Sequence, residues 1–230
     1  MPRVFIDIDI NNHRAAYALA KEFVETNNLK YGLSSPRMED LGGSEKARLQ
    51  ELFETDFVFS SRGRIEVNPA VCERIIIDLF EDAAPNAVKN FVTLCIGTGG
   101  KAKGSGVNLS YKNVKFHRMV PKQFIQGGDF SHGNGAGGEC IWGGVFKDEA
   151  KGLKIPVDKR GLVAMSNTGK NSNGSQFFIT FAAMPKVSGK HVVFGQVVEG
   201  EEVLQAIEAI SCGADDVPVK SIVIADCGLL

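Results

Sequence analysis

Short apolar segments separated by glycine-rich turns dominate the sequence from residue 74 onward, and they restrict the chain most strongly to a β fold. The 26 glycines leave few long runs that favour a helix. These segments do not alternate with helices as βαβ units require, so a closed antiparallel barrel or a sandwich is predicted. The predicted strands lie at residues 74–79, 114–119, 124–129, 161–166, 177–181, 192–197 and 221–226.

An eighth strand is predicted near the start of the chain, at residues 4–10. The run VFIDIDI alternates with period two and places isoleucines on one face and two aspartates on the other. Two helices are predicted to interrupt the strands. One begins at Pro85, a residue suited to a first helical position, and the other covers residues 201–210.

Between the first two predicted strands the hydrophobic period becomes helical, at residues 13–28 and again at residues 45–55. The preferred interpretation is one domain, residues 1–230, in which residues 11–71 are a helical insertion between the first and second strands. An open sheet edge is costly, which favours VFIDIDI as the strand that completes the sheet.

An alternative interpretation places the first strand within residues 57–67. In that case residues 1–55 form an N-terminal appendage, and residues 56–230 form the domain. The strict alternation of VFIDIDI makes it the better strand, because residues 57–67 contain a glycine break and mixed charges.

Composition excludes several classes of function. A formal net charge of -1 offers no strong field for nucleic acid, and no apolar run is long enough to cross a membrane. The opening residues are not typical of a signal peptide, because Asp7 and Asp9 interrupt the apolar run. Five cysteines without a CxxC pair indicate free thiols in a reducing compartment, so we expect a cytoplasmic protein, with the nucleus as an alternative. We also expect a monomer.

The sequence gives little support for a nucleotide-binding site or a metal site. The glycine loop at residues 133–138 (GNGAGG) formally matches a dinucleotide fingerprint, but no helix follows it and no βαβ unit surrounds it. The four histidines and five cysteines lack the paired spacing of metal ligands. We therefore expect neither a cofactor nor a metal.

Two segments carry polar residues that a plain sheet would not need. FHRMVPKQFIQGGDF, residues 116–130, combines a cation, an amide and large apolar groups without a nucleophile. GLVAMSNTGKNSNGSQFFITF, residues 161–181, has a second set of amides beside apolar strand residues.

Together with GKHVVFGQV, these segments resemble in order and spacing the signature motifs of the cyclophilin family. The resemblance covers residues 72–230. It implies a peptidyl-prolyl cis/trans isomerase on a closed eight-stranded antiparallel β-barrel capped by two α-helices, here with a small helical insertion. It also implies that the partners are proline-containing peptides and proteins.

That activity explains a site without a nucleophile. Rotation about an X–Pro bond has a barrier of about 18–20 kcal/mol, because amide resonance must be broken, yet no bond is made or cut. Catalysis requires tighter binding of the twisted amide than of either planar form. A guanidinium near the proline nitrogen and apolar groups around the ring would supply this preference.

The resemblance assigns roles residue by residue. Arg118 would be the cation, Gln126 would orient Arg118 or the substrate carbonyl, and Asn167 would pair with the substrate chain. Phe178 belongs to the proline pocket and His191 closes its rim. The catalytic set is Arg118, Gln126, Asn167, Phe178 and His191. The residues expected to bind substrate are Gln123, Phe124, Gly135, Ser166, Thr168, Gln176, Lys186 and Val187.

Two positions depart from the family pattern. Gln123 stands where the family commonly has Phe, and Lys186 stands where a Trp associated with cyclosporin binding is usual. The resemblance therefore implies weakened affinity for cyclosporin A. The segment at residues 97–113 resembles the lysine-containing loop of divergent cyclophilins, and its lysines are either solvated or part of a partner surface.

Two functions follow from this pattern. The first is an active isomerase that assists folding, as a chaperone does, or regulates partners. The alternative is a proline-segment binding module with weak or no turnover, in which the insertion recruits the partner and Gln123 reduces catalysis. Gln123, Lys186 and the insertion leave room for this alternative.

Overall fold

A computed structural model describes residues 1–69 and 73–230, and it contains one eight-stranded sheet in which every pair of neighbours is antiparallel. The spatial order is β3-β4-β6-β5-β7-β2-β1-β8. The strands are β1 Arg3–Ile10, β2 Glu73–Leu79, β3 Arg118–Val120, β4 Phe124–Gly127, β5 Leu162–Met165, β6 Phe177–Thr180, β7 Val193–Glu199 and β8 Ile222–Leu229.

The prediction of a closed barrel was wrong, because the sheet is a curled half-barrel whose edge strands are β3 and β8. The predicted strand at residues 114–119 changes partner midway. Val114 and Phe116 exchange backbone hydrogen bonds with β8, whereas the His117 N–H already donates to Gln126 of β4. That change of partner leaves a single bridge, Lys115 with Val223, instead of a continuous ladder between the edges.

β1 lies between β2 and β8. It pairs with β2 from Arg3 opposite Asp78 to Ile8 opposite Glu73, and with β8 along its other edge. Because a buried face fixes the register of a strand, the alternation of VFIDIDI directs its isoleucines into the main core.

The helices at Pro85–Ile96 and Glu201–Glu208 contribute buried residues to the main core beside the sheet. The aromatic ring of Phe91, on the first helix after β2, packs against Phe177 and Phe194 at centroid distances of 5.0 Å and against Tyr111 at 5.3 Å.

Of the residues described, none belongs to a helix long and apolar enough to cross a membrane. The helices are α1 His13–Tyr31, α2 Gly43–Thr55, α3 Pro85–Ile96, α4 Ala150–Leu153 and α5 Glu201–Glu208. Sequence reasoning missed the short α4.

The chain divides into two compact units, Met1–Ile10 with Cys72–Leu230, and Asn11–Val71. The second unit has its own core. In that core Phe23 makes edge contacts with Phe53 and Phe59 at centroid distances of 5.4 and 5.3 Å. Asp56 also fixes the loop after α2, because its buried carboxylate accepts hydrogen bonds from Lys30 and Tyr31 at 2.8 Å.

Each unit should fold without the other. We expect a variant in which residues 11–70 are replaced by a short Asn/Gly-rich linker to keep the sheet, because β1 and β2 are paired along most of their length. Two-dimensional NMR spectra of this variant and of a peptide covering residues 11–71 should both show dispersed amide signals. An insoluble or poorly dispersed linker variant would show that the sheet needs the helical unit.

Candidate functional site

Four residues form a row across one face of the sheet. Arg118 on β3 stands opposite Gln126 on β4, which stands opposite Phe178 on β6, and Phe178 faces Ala164 on β5. Residues directly opposite each other share a face, so this row brings Arg118 and Phe178 onto one surface. The neighbouring residues point to the other face and are fully buried in the main core: Met119, Ile125, Ile179 and Val163.

An apolar surface adjoins this row. The ring of Phe178 lies 5.5 Å from Phe124 and 5.2 Å from His191 between centroids, the latter at an interplanar angle of 89°. Val187 packs against the same cluster. We call Phe124, Phe178, Val187 and His191 the apolar patch.

Gln123 and Lys186, the two departures from the family pattern, are both exposed. Phe124 is half-buried and supplies the ring that contacts Phe178. The apolar patch therefore has two phenylalanine rings although Gln123 contributes no apolar surface to it.

His191 is held as a neutral ring. Burial lowers the pKa of His191 below its usual value, and the hydrogen bond to the Met165 carbonyl, with Nδ1 3.0 Å from the oxygen, opposes that effect only in part. Because the carbonyl can only accept, Nδ1 carries the proton. This hydrogen bond fixes the orientation of the imidazole, which lies nearly perpendicular to the Phe178 ring.

Gln126 is tied to a glycine-rich loop and not to Arg118. Its Nε2 donates to Oε1 of Gln176 at 2.8 Å. Gln176 in turn donates to the carbonyls of Gly135 and Gly137 at 2.9 and 2.7 Å. The predicted role of Gln126 in orienting Arg118 has no hydrogen bond to support it among the described residues.

The loop at residues 133–138 is folded around the carboxylate of Asp129. Oδ2 accepts from the N–H groups of Gly135 and Gly137 at 2.9 and 3.1 Å, and Oδ1 accepts from that of His132 at 3.0 Å. A Cβ at Gly137 would overlap the side chains around it. This loop therefore needs glycine to surround an internal carboxylate.

The ionisation of Asp129 follows from these contacts. Burial opposes the charged form, but the hydrogen bonds from His132, Gly135 and Gly137 outweigh it and hold the pKa of Asp129 well below its usual range. A fixed negative charge thus organises the loop that accepts from Gln176.

Asn167 borders the site on the opposite side. Its Nδ2 donates to the Lys190 carbonyl at 3.0 Å, and the neighbouring Ser166 N–H donates to the Gln176 carbonyl at 2.9 Å. A groove of about 890 Å³ separates this rim from the glycine loop. Seven predicted site residues line the groove: Arg118, Gln126, Gly135, Ser166, Asn167, Thr168 and Gln176.

The segment at residues 97–113 closes one end of this groove. The carboxylate of Glu139 accepts from the N–H groups of Gly104 at 3.0 Å and Ser105 at 2.9 Å. These backbone hydrogen bonds hold the pKa of Glu139 below its usual value. Gly104, Ser105 and Val107 reach the groove, whereas Lys101 and Lys103 are exposed.

Sequence reasoning missed the group that binds Arg118. Oδ2 of Asp216 accepts from Nη2 of Arg118 at 2.9 Å and from Nε at 3.2 Å. Asp216 lies in the turn before β8. The consecutive aspartates between the predicted helix at residues 201–210 and the predicted strand at residues 221–226 were the available signal, but they do not reveal a partner 98 residues away.

This ion pair adds little to stability. Both side chains are nearly half exposed, at 46% and 41%, and such pairs contribute roughly 0.2–1 kcal/mol. Asp215 and Asp216 both have positive φ, 57° and 60°, a conformation that costs non-glycine residues on the order of 1 kcal/mol each. The backbone strain is therefore at least as large as the gain from the pair.

Comparison with known proteins identifies the family. The sequence model for cyclophilin-type peptidyl-prolyl cis-trans isomerases matches residues 64–229. The chain belongs to the cyclophilin family. The match includes the candidate site and seven of the eight strands, and it leaves β1 outside.

Two similar cyclophilin-family proteins are the NK-tumor recognition proteins of Mus musculus and Homo sapiens. Each is 48% identical to this chain over 166 residues, which is 72% of this chain. The aligned part is 11% of each relative, so this chain spans only a small part of their length.

Replacement of Asp129 by Asn should destabilise this cyclophilin at neutral pH by about 1.5–3 kcal/mol, because hydrogen bonds to a charged acceptor are lost. A carboxyl whose pKa is lower in the folded state stabilises the fold above its unfolded pKa of about 3.9, and this stabilisation is lost as the pH falls. We therefore expect urea midpoints between pH 7 and 3 to decline less steeply for Asp129→Asn than for the wild type.

The control for this comparison is Asp158→Asn, which changes an exposed carboxylate. It should follow the wild-type profile. Parallel curves for Asp129→Asn and the wild type would contradict the role of Asp129.

Proposed function

We propose that this protein catalyses cis/trans isomerisation of X–Pro bonds in peptide segments bound in the groove. The observation that carries the proposal is the placement of Arg118 beside the apolar patch on one sheet face. The centre of its guanidinium is 5.4 Å from the Phe124 ring centroid, and Phe124 contacts Phe178. A proline ring seated on the patch would bring its nitrogen near the cation.

The chemistry is preferential binding of the twisted amide. When resonance is lost, the proline nitrogen becomes pyramidal and can accept a hydrogen bond. The guanidinium of Arg118 carries several N–H donors and no acceptor, so it can donate to that nitrogen. Donation to the nitrogen is possible only in the twisted state. It therefore lowers the barrier without strengthening the binding of the planar peptide.

The remaining polar groups would hold the peptide chain while the bond rotates. Asn167 and the backbone of Ser166 border the groove across from Gly135. Gln126 and Gln176 are already bonded to each other, so they offer a fixed surface of amide groups. The apolar patch would retain the ring during the half-turn of the preceding carbonyl.

The test is the exchange rate of a short X–Pro peptide, measured by NMR exchange spectroscopy. We expect strong acceleration by the wild type and a loss of roughly 10- to 100-fold for Arg118→Ala, which corresponds to one charge-assisted hydrogen bond.

Arg74→Ala is the matched control. Arg74 also bonds an aspartate, Asp7, and lies over an aromatic ring, that of Phe5, but it is on β2 away from the groove. This control should retain the full rate. Equal rates for Arg118→Ala and the wild type would refute the assignment of Arg118.

A second candidate is a proline-segment binding module with little turnover. The observation that favours it is the exposure of Gln123 and Lys186 at two positions where the family pattern has rings. Peptide binding without acceleration of exchange, in the wild type and in Arg118→Ala alike, would support this candidate over the enzyme.

The same exposure leads us to propose weak binding of cyclosporin A. Replacement of Lys186 by Trp should strengthen binding by about 10- to 100-fold, because burial of a large apolar side chain contributes roughly 1.5–3 kcal/mol. Calorimetric titration would measure the change. Lys151→Trp, on α4, is the control and should leave the affinity unchanged, and an equal affinity for Lys186→Trp would show that this position does not contact the ligand.

A further inference from the structure

The Arg118 guanidinium is held by one carboxylate along one edge. Oδ2 of Asp216 accepts from both Nε and Nη2. This leaves Nη1 without a hydrogen-bond partner in the described part of the chain. Arg118 lines the groove and its side chain is nearly half exposed, so a bound peptide can reach the guanidinium.

The turn that carries Asp216 is anchored to the strand that carries Arg118. Backbone hydrogen bonds close the hairpin, from Gly213 N–H to the Val217 carbonyl at 2.8 Å and from Val219 N–H to the Ser211 carbonyl at 3.0 Å. The thiol of Cys212 donates to the Met119 carbonyl, next to Arg118, at 3.1 Å. The position of Asp216 relative to β3 is therefore fixed by the fold.

The second residue at the tip of this turn, Asp216, is less suited to its positive φ than glycine would be. Hairpin turns with two central residues of positive φ favour Asn-Gly or Asp-Gly, yet here both residues are aspartates. The half-exposed ion pair does not compensate for this strain. Strain of this kind at a site residue is a reason to look for a role in the function.

We propose that Asp216 is a positioning residue that holds the Arg118 guanidinium with Nη1 directed at the bound X–Pro bond. This proposal rests on the proposed isomerase function. The Phe124 ring limits the guanidinium on one side, and the carboxylate fixes its rotation, so a long and flexible side chain keeps one orientation.

A positioning role affects turnover and not substrate binding. The apolar patch and the groove rim hold the peptide whether or not Arg118 is ordered, so KM should stay the same. The rate at saturating peptide should fall, because a disordered guanidinium must lose conformational freedom before it can donate to the twisted amide.

Asp216→Asn and Asp215→Asn form a matched pair. Each removes one negative charge from the same turn, and asparagine tolerates positive φ. We expect Asp216→Asn to lower the rate at saturation by up to about fivefold with KM unchanged, which is the upper range of one exposed ion pair. Asp215→Asn should match the wild type, because Asp215 is exposed and does not bond Arg118.

Asp216→Gly separates positioning from a structural role. Glycine relieves the strain at positive φ, so the urea midpoint should rise or stay constant while the isomerisation rate falls. A role in stability alone would lower the midpoint and the rate together. A rate for Asp216→Asn equal to or above that of active wild-type protein would overturn the proposal.

The Nε–H signal of Arg118, assigned by its loss in Arg118→Lys, gives a readout that does not depend on turnover. It should be sharp and slow to exchange with water in the wild type and in Asp215→Asn, and lost in Asp216→Gly, which removes the acceptor. An unchanged signal in Asp216→Gly would overturn the positioning role. Wild-type protein that fails to accelerate exchange, with this signal behaving as expected, would overturn the proposed isomerase and leave Asp216 as an orienting contact without catalytic effect.

Discussion

The antiparallel register of β3, β4 and β6 is the constraint on which the site depends. Because side chains alternate between the two faces, the register that buries Met119, Ile125 and Ile179 also places Arg118 and Phe178 together on the opposite face. A slip of one residue would exchange the two sets. The main core thus fixes the arrangement of the groove without contributing a side chain to it.

Buried and half-buried polar groups then define the shape of the groove. The Asp129 carboxylate binds backbone N–H groups of the glycine loop, the loop carbonyls orient Gln176, and Gln176 orients Gln126. The Glu139 carboxylate likewise binds the backbone N–H of Gly104. Each link satisfies a donor or acceptor that would be costly to leave unpaired, so the amide side chains are held in place before a ligand arrives.

Membership of the cyclophilin family could be predicted from three motifs, and the positions of the strands followed from their period. The wrong prediction of a closed barrel has a physical cause. The strand predicted at residues 114–119 is divided, because its two halves pair with different neighbours, and the sheet therefore stays open. The bond from Gln126 to Gln176 joins residues 50 positions apart, and the motif that assigns a role to Gln126 does not specify it.

Local periodicity by itself determined where most strands and helices of this protein form and which face of a strand such as VFIDIDI is apolar, and the motifs shared with the family indicated which residues surround the groove. These properties depend on neighbours in sequence, and the chain encodes them directly. Only the tertiary structure decided the partner of Arg118, the residue wrapped by the glycine loop and the open edge between β3 and β8. Those outcomes depend on contacts between distant segments, such as Arg118 with Asp216, whose geometry exists only after the sheet has formed.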